Sequence, residues 1–188
     1  TPGFLSGQLL VATPLIETGV FSRSVVYIFQ HTKQGAAGLV INKPIETVSY
    51  DTLIQGQNMN LPRDNTAHQV SVLNGGPCDR HRGFILHTAD YYRDFCISRS
   101  EKIAVTGTNA ILKDMAEGKG PRAAALVVGC AVWDTGQLED ELAQSAWIHV
   151  PATDSLIFDT PHDLQWASAS KSLGISDMAF YSTAVGHA

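Results

Sequence analysis

Charge is scarce in this chain: Asp, Glu, Lys and Arg together make up 16% of its 188 residues. Cations are the scarcer kind, thirteen Lys and Arg against eighteen Asp and Glu, for a formal net charge of −5. That balance offers no general attraction to a phosphate backbone and argues against nucleic acid as a partner. The single local exception is Arg80-His81-Arg82. Cysteine is nearly as sparse. Cys78, Cys96 and Cys130 are widely separated and odd in number, which excludes the disulfide framework of a small secreted domain and suits reduced thiols. Long hydrophobic runs are missing too. The longest, Ala123 to Trp133, contains Gly129 and falls short of the about twenty residues that a membrane-spanning helix needs. The opening Thr1-Pro-Gly-Phe4 lacks the basic region and long apolar core of a secretory signal. Together these set the expectation of a cytoplasmic protein with no membrane contact.

What is present is apolar residue in ordinary supply, 44% of the chain, enough in one domain of this length to bury a substantial core. No repeat or low-complexity segment divides residues 1–188, so a single domain is expected. Three strand-like runs lie close together near the start: Leu9 to Ala12, Val25 to Phe29 and Leu39 to Ile41. Each is bounded by Pro, Gly or a short polar turn. Val25 to Phe29 is apolar without alternation, which predicts an interior strand covered on both faces, and Ala123 to Val128 reads the same way. Thr32 to Gly35 is short enough to make its flanking strands antiparallel neighbours. Further strands are expected over Val70–Leu73, Gly83–His87, around Phe95–Ile97, over Ile103–Val105 and over Trp147–Val150, with a primed turn at Asn74-Gly75.

Helical spacing appears at Val48, Leu53 and Ile54 with a stop at Gly56, before a polar loop over Gln57–Gln69. It appears again over Asn109–Glu117 with Thr108 as cap, after Asp134 with Gln137 answering it in a capping box, and after Thr160-Pro161, where Trp166, Ala169 and Leu173 share a face up to Gly174. Strands are separated mostly by turns rather than crossover helices. That excludes a doubly wound fold and points to the α+β class, β-rich and largely antiparallel.

The wording of Gly7 to Pro14, of Phe21 to Tyr27 with His31, and of Gly35 to Pro44 resembles the AlgH/YqgE family of small bacterial proteins. The resemblance continues through Gly75-Gly76-Pro77, Phe84 to His87 and Gly136-Gln137-Leu138-Glu139, and extends from Gly7 to about Gly174, with Gly186-His-Ala188 also similar. It implies a β-rich α+β fold of largely antiparallel coiled sheets with several short helices packed on them, and a family with no established biochemical activity, linked by name to regulation of alginate production. Two positions depart from the pattern. Val132 stands where relatives carry glycine, and Cys130 where they commonly carry an aromatic.

Established catalytic signatures are missing. There is no Gly-x-Ser-x-Gly, His-Glu-x-x-His, Cys-x-x-Cys or Gly-x-Gly-x-x-Gly. Gly118-Lys-Gly-Pro-Arg122 follows a helix and lacks the Lys-Ser/Thr ending of a phosphate loop, so it reads as a helix stop. His81 and His87 lie near Cys78 and Asp79, but the strand between them supplies no further ligand on one face, and neither a metal nor a cofactor is expected. Cys78 or Cys130 with His31 or His87 would make a nucleophilic pair if the fold joined them. The residues retained as binding candidates are Asn42, Asn74, Gly75, Gly76, His87, Trp133, Gln137 and Glu139. Asn42 with Lys43 and Asn74 to Gly76 would form one polar rim; Trp133, Gln137 and Glu139 would place an aromatic and polar groups at a helix N-terminus. The leading expectation is a binding or interaction protein with a small-ligand or protein partner. An enzyme with a non-standard site near Asn74, His87 and Gln137 ranks second, and a direct DNA-binding regulator ranks third, for want of a helix-turn-helix pattern.

Overall fold

The structure, a computed structural model, describes residues 4–46, 70–107 and 109–172. Its strands are β1 (Gln8–Ala12), β2 (Val25–Thr32), β3 (Gly35–Val40), β4 (Ser71–Asn74), β5 (Cys78–Thr88), β6 (Cys96–Arg99), β7 (Ile103–Thr106), β8 (Ala124–Trp133) and β9 (Trp147–Pro151). The helices are α1 (Ala110–Ala116), α2 (Gln137–Ala143) and α3 (Gln165–Ser172), with a π-helical turn at Ser155–Asp159 and a 3-10 turn at His162–Leu164 leading into α3.

All nine strands join one curled sheet in the order β6-β7-β5-β8-β3-β2-β1-β9, and β4 also pairs with β8. Every ladder is antiparallel except β4 on β8. The class is therefore α+β, as the turn-separated strands predict. β2 and β3 are joined across Lys33-Gln34, with Thr32 opposite Gly35.

Both predicted ribs are interior. Along β2 the side chains alternate between two cores, which is why its apolar run has no polar gap. Val25, Tyr27 and Phe29 face inward with Leu9, Val11, Leu39, Phe84, Leu86 and Val127, and this inner cluster is closed by Ile157, Trp166 and Ala169. Val26 and Ile28 face the other way, into a cluster with Leu10, Ala131, Trp133, Trp147 and Leu138 of α2. A third cluster, Val72, Ile85 and Leu126 under Ile111 and Leu112 of α1, covers the outer face of the β4–β5–β8 half. Trp166 fixes α3 to the sheet by donating its indole N–H to the Ala12 carbonyl at 2.8 Å.

The turn expected at Asn74-Gly75 is absent. β4 and β5 both pair with β8, on opposite sides of it, so the chain between them crosses over β8. The crossing needs backbones in contact. A Cβ on Gly75 would lie 2.3 Å from the Gly129 carbonyl oxygen, and one on Gly76 2.3 Å from the Cys130 carbonyl oxygen. Gly76 also has φ of 145°, and Gly129 beneath it 82°, conformations that glycine alone adopts without strain. Gly-Gly over Gly is thus a contact between main chains, not hairpin chemistry.

Other differences are local. α2 begins at Gln137 behind a left-handed Gly136, so Asp134 does not cap it through its side chain, although Gln137 Oε1 does accept the Asp134 N–H at 2.9 Å. Thr160 donates its hydroxyl to the Ser155 carbonyl at 2.9 Å, closing the π turn instead of opening a helix. β6 starts at Cys96, one residue later than the expected irregular strand, and β5 extends upstream to Cys78. The expected helix around Val48–Ile54, the loop Gln57–Gln69, the Thr108 cap and the stop at Leu173–Gly174 lie outside the described residues.

Candidate functional site

The two halves of the expected polar rim meet. As β3 leaves the sheet, Asn42 Oδ1 accepts the Val25 N–H at 2.9 Å and its Nδ2 donates to the Arg23 carbonyl at 2.9 Å. Lys43 Nζ donates to the Ser22 carbonyl at 2.9 Å. The Asn74 N–H reaches the Lys43 carbonyl at 2.8 Å, and the Val40 N–H reaches Gly75 O at 2.9 Å. Asn74 Oδ1 then accepts the Gly76 N–H at 3.3 Å. Burial, aided by the neighbouring Arg23 charge, pushes the Lys43 ammonium below its ordinary range. These polar groups tie the end of β3 to the crossover over β8.

A second group forms where β8 runs into α2. Trp133 is buried, edge-on to Trp147 with ring centroids 6.0 Å apart. Gln137 and Glu139 are exposed. Glu139 reaches back to His31 at the end of β2, where its Oε1 pairs with the buried Nε2. On the other side of the ring Nδ1 accepts the Leu5 N–H at 3.0 Å. Since Nδ1 accepts, Nε2 carries the proton and donates it to the carboxylate. That bond, the largest cause, holds the Glu139 carboxyl below its usual range. Phe4 stacks edge-on to the same ring at 5.2 Å, and Ser6 Oγ accepts the His31 N–H at 2.9 Å. The His31–Glu139 pair thus clasps residues 4–6 and α2 to one strand end.

No local pattern announces this pair, because its members are 108 residues apart in the chain. The sequence marks the two members separately, His31 at the end of an apolar run and Glu139 in the Gly136–Glu139 motif, and nothing in it joins them. With both ring nitrogens engaged, His31 has no lone pair free to act as a base. The start of α2 is poorly suited to an anion: the helix has seven residues, and Glu139 and Asp140 occupy its first turn, where they repel negative charge.

His87 stands apart from both groups. It is fully buried on β5, donates Nδ1–H to the Thr88 carbonyl at 2.9 Å and accepts the Thr106 hydroxyl at Nε2, 2.8 Å away. Burial lowers its pKa, partly offset by the Thr88 bond and Asp90. Asn74 lies opposite Val128 and His87 opposite Ala124, four residues apart along β8, or about 13 Å at strand rise. Gln137 lies past the far end of the same strand. Asn74, His87 and Gln137 are therefore not brought together.

The sulfur–histidine pairings do not form either, since Cys130 and Cys78 face one another across β8 and β5 while both histidines are engaged as above. Among the described residues, no three His, Cys, Asp or Glu side chains are grouped to hold a metal ion. No described helix is long and apolar enough to cross a membrane. Arg82 of the basic cluster stacks on Phe84, its guanidinium 4.7 Å from the ring centroid. Val132, the departure from the familial glycine, is 51% exposed, so its side chain meets solvent and obstructs no backbone.

Comparison with known proteins gives consistent results. The profile of the AlgH-like family matches residues 9–177. A UPF0301 protein of Mesorhizobium japonicum is 40% identical, over 99% of this chain and 94% of its own length. A UPF0301 protein of Afipia carboxidovorans is 37% identical, over 98% and 90%. The solution structure of the AlgH protein from Pseudomonas aeruginosa superposes with a TM-score of 0.76 at 32% identity, over 94% of this chain and 92% of that one. A Corynebacterium diphtheriae protein, DIP2367, shares the fold at 20% identity with a TM-score of 0.72, over 92% and 88%.

Proposed function

The chain belongs to the AlgH-like family, and on that premise we propose that it acts by binding a protein or small-ligand partner, in a regulatory role in the cytoplasm, without bond-making chemistry of its own. The supporting observation is how the polar groups are used. Both ring nitrogens of His31 and of His87, and both ends of the Asn42 amide, are engaged inside the fold. The histidine ring nitrogens are costly to free, because both rings are buried and a freed nitrogen would be left unpaired.

Among the described residues, one surface open to contact is the corner where β8 runs into α2. There Val132 is 51% exposed on the face of β8 opposite Trp133, while Gln137 and Glu139 stand exposed on α2, whose Leu138 packs with the buried Trp133 and Trp147. Exposed apolar and polar groups carried on stiff elements suit recognition. Net charge of −5 favours a protein or small-molecule partner over nucleic acid.

The test is cross-linking in the native cells followed by purification and mass spectrometry, on the parent chain, Val132→Asp and His87→Gln. Binding at the corner predicts a stoichiometric partner or ligand that Val132→Asp loses and His87→Gln keeps. A catalytic turnover abolished by His87→Gln, or a partner indifferent to Val132→Asp, would overturn this reading.

A further inference from the structure

Cys78 and Cys130 are fifty-two positions apart in sequence, yet they are directly opposed partners on the antiparallel strands β5 and β8. Both thiols serve the same side of the sheet: Cys130 belongs to the inner core and Cys78 packs against it. Opposed residues in an antiparallel pair have Cα atoms about 4.5–5.5 Å apart, inside the range of about 4.4–6.8 Å that a disulfide spans. We propose that Cys78 and Cys130 form a redox-active dithiol, which closes to a cross-strand disulfide by exchange with a low-molecular-weight disulfide.

The surroundings set the order of events. Cys130 is buried at 3% exposure, whereas Cys78 is only partly covered. Burial, with Asp79 and Cys78 nearby, also raises the Cys130 thiol, against a smaller opposing effect of Arg82. Cys78 therefore attacks first, as its thiolate. Its sulfur bonds to one sulfur of the small disulfide, whose S–S bond breaks and releases one thiol. Cys130 then loses its proton and attacks the Cys78 sulfur, releasing the second small thiol. The protein has lost two electrons and two protons, and the small disulfide has gained them.

Two features place this bond where it has structural effect. Between Cys78 and Gly83 the β5–β8 register shifts, four residues of β5 facing Gly129 alone, and Asp79 takes a left-handed φ of 47°. Cys130 is also the residue whose carbonyl lies under Gly76 at the crossover. A disulfide would fasten the loose beginning of β5 to β8 beside that crossing. Cys96 is engaged elsewhere, its thiol donating to the Ser98 carbonyl at 3.1 Å.

The experiment uses the full chain, folded, with oxidised glutathione as probe, followed by alkylation, intact mass and a non-reducing peptide map. We expect two thiols to disappear, leaving one in the parent and none in Cys96→Ser, with a mass about 2 Da lower before alkylation and a Cys78–Cys130 linked peptide in a monomer in both. Cys130→Ser should stop at a one-to-one glutathione adduct on Cys78. Cys78→Ser, altering only the partly covered thiol, should leave Cys130 unreactive while folded. A stable adduct on Cys78 of the parent, linkage through Cys96, or no reaction would overturn the assignment. A Cys130→Ser variant that failed to fold would leave the parent, Cys96→Ser and Cys78→Ser results to decide it.

Discussion

Replacing Gly76 with alanine should be among the most damaging single-methyl additions in this protein, and the cost can be assembled from two sources. The first is conformational: at φ of 145° an L side chain sits in a region that is essentially glycine's, for about 1–3 kcal/mol. The second is spatial. The added Cβ would lie 2.3 Å from the Cys130 oxygen, 2.4 Å from its carbonyl carbon and 2.7 Å from the Ala131 nitrogen. All three are main-chain atoms of the central strand β8, so relief requires moving a strand rather than turning a side chain. Overpacking of this kind costs about 1–3 kcal/mol. The sum, about 4 kcal/mol, is a large part of the 5–15 kcal/mol that a domain typically has. Gly118→Ala supplies a positive-φ reference free of the spatial source, because Gly118 has φ of 75° with nothing within 4 Å of its added Cβ, and it should cost about 1 kcal/mol. Urea unfolding of the parent and both variants, followed by circular dichroism with slopes compared, reads the difference. Equal losses in Gly76→Ala and Gly118→Ala would refute the crossover as a contact between main chains.

Three further outcomes follow from ionisable groups. The Tyr91 hydroxyl donates to Asp114 Oδ2 at 2.6 Å and its pKa is pushed up to about 12, first by burial and then by that carboxylate; this contribution is complete below the ordinary pKa of about 10 and is lost as the pH rises through about 12. Ultraviolet titration should show one tyrosine ionising near that value and should lose it in Tyr91→Phe, which should cost about 1–2 kcal/mol. Burial lowers the His87 pKa, so unfolding takes up a proton: the stabilisation is full above about pH 6.5 and declines as the pH falls toward the folded-state value. Urea midpoints at pH 7.5 and 5.5 should therefore differ more in the parent than in His87→Gln. The lowered Glu139 pKa, caused first by the His31 bond, contributes stability above the unfolded carboxyl value and loses it as the pH falls through the folded one. Because that side chain is 46% exposed, Glu139→Gln should cost only about 0.5–1 kcal/mol after allowing for solvent screening, measured by urea unfolding at pH 7.

Much of the scaffold was legible because its signals are local. The unbroken apolar run of β2 already implied two covered faces, and Thr32 to Gly35 implied an antiparallel neighbour; both hold. What misled was chemistry shared by two geometries. Asn74-Gly75 is a good turn sequence, but a glycine pair also permits close approach, and the glycine that it approaches, Gly129, lies far along the chain. Thr160-Pro161 was similarly ambiguous, since a threonine hydroxyl that can cap a following helix can equally donate to a preceding carbonyl, as it does here. The candidate site was legible in part. Lys43 and Asn74 meet because β3 and β4 both pair with β8, a consequence of topology, whereas the His31–Glu139 clasp joins residues whose separation in sequence carries no periodic signal.

The most direct test of the claim that the polar groups are committed to the fold is the tautomeric state of the two histidines buried among the described residues, read from long-range proton–nitrogen correlations at pH 7.5. The account predicts His31 protonated at Nε2 with a bare, accepting Nδ1, and His87 protonated at Nδ1 with a bare Nε2. Either ring found exchanging freely between tautomers, or carrying its proton on the opposite nitrogen, would contradict it.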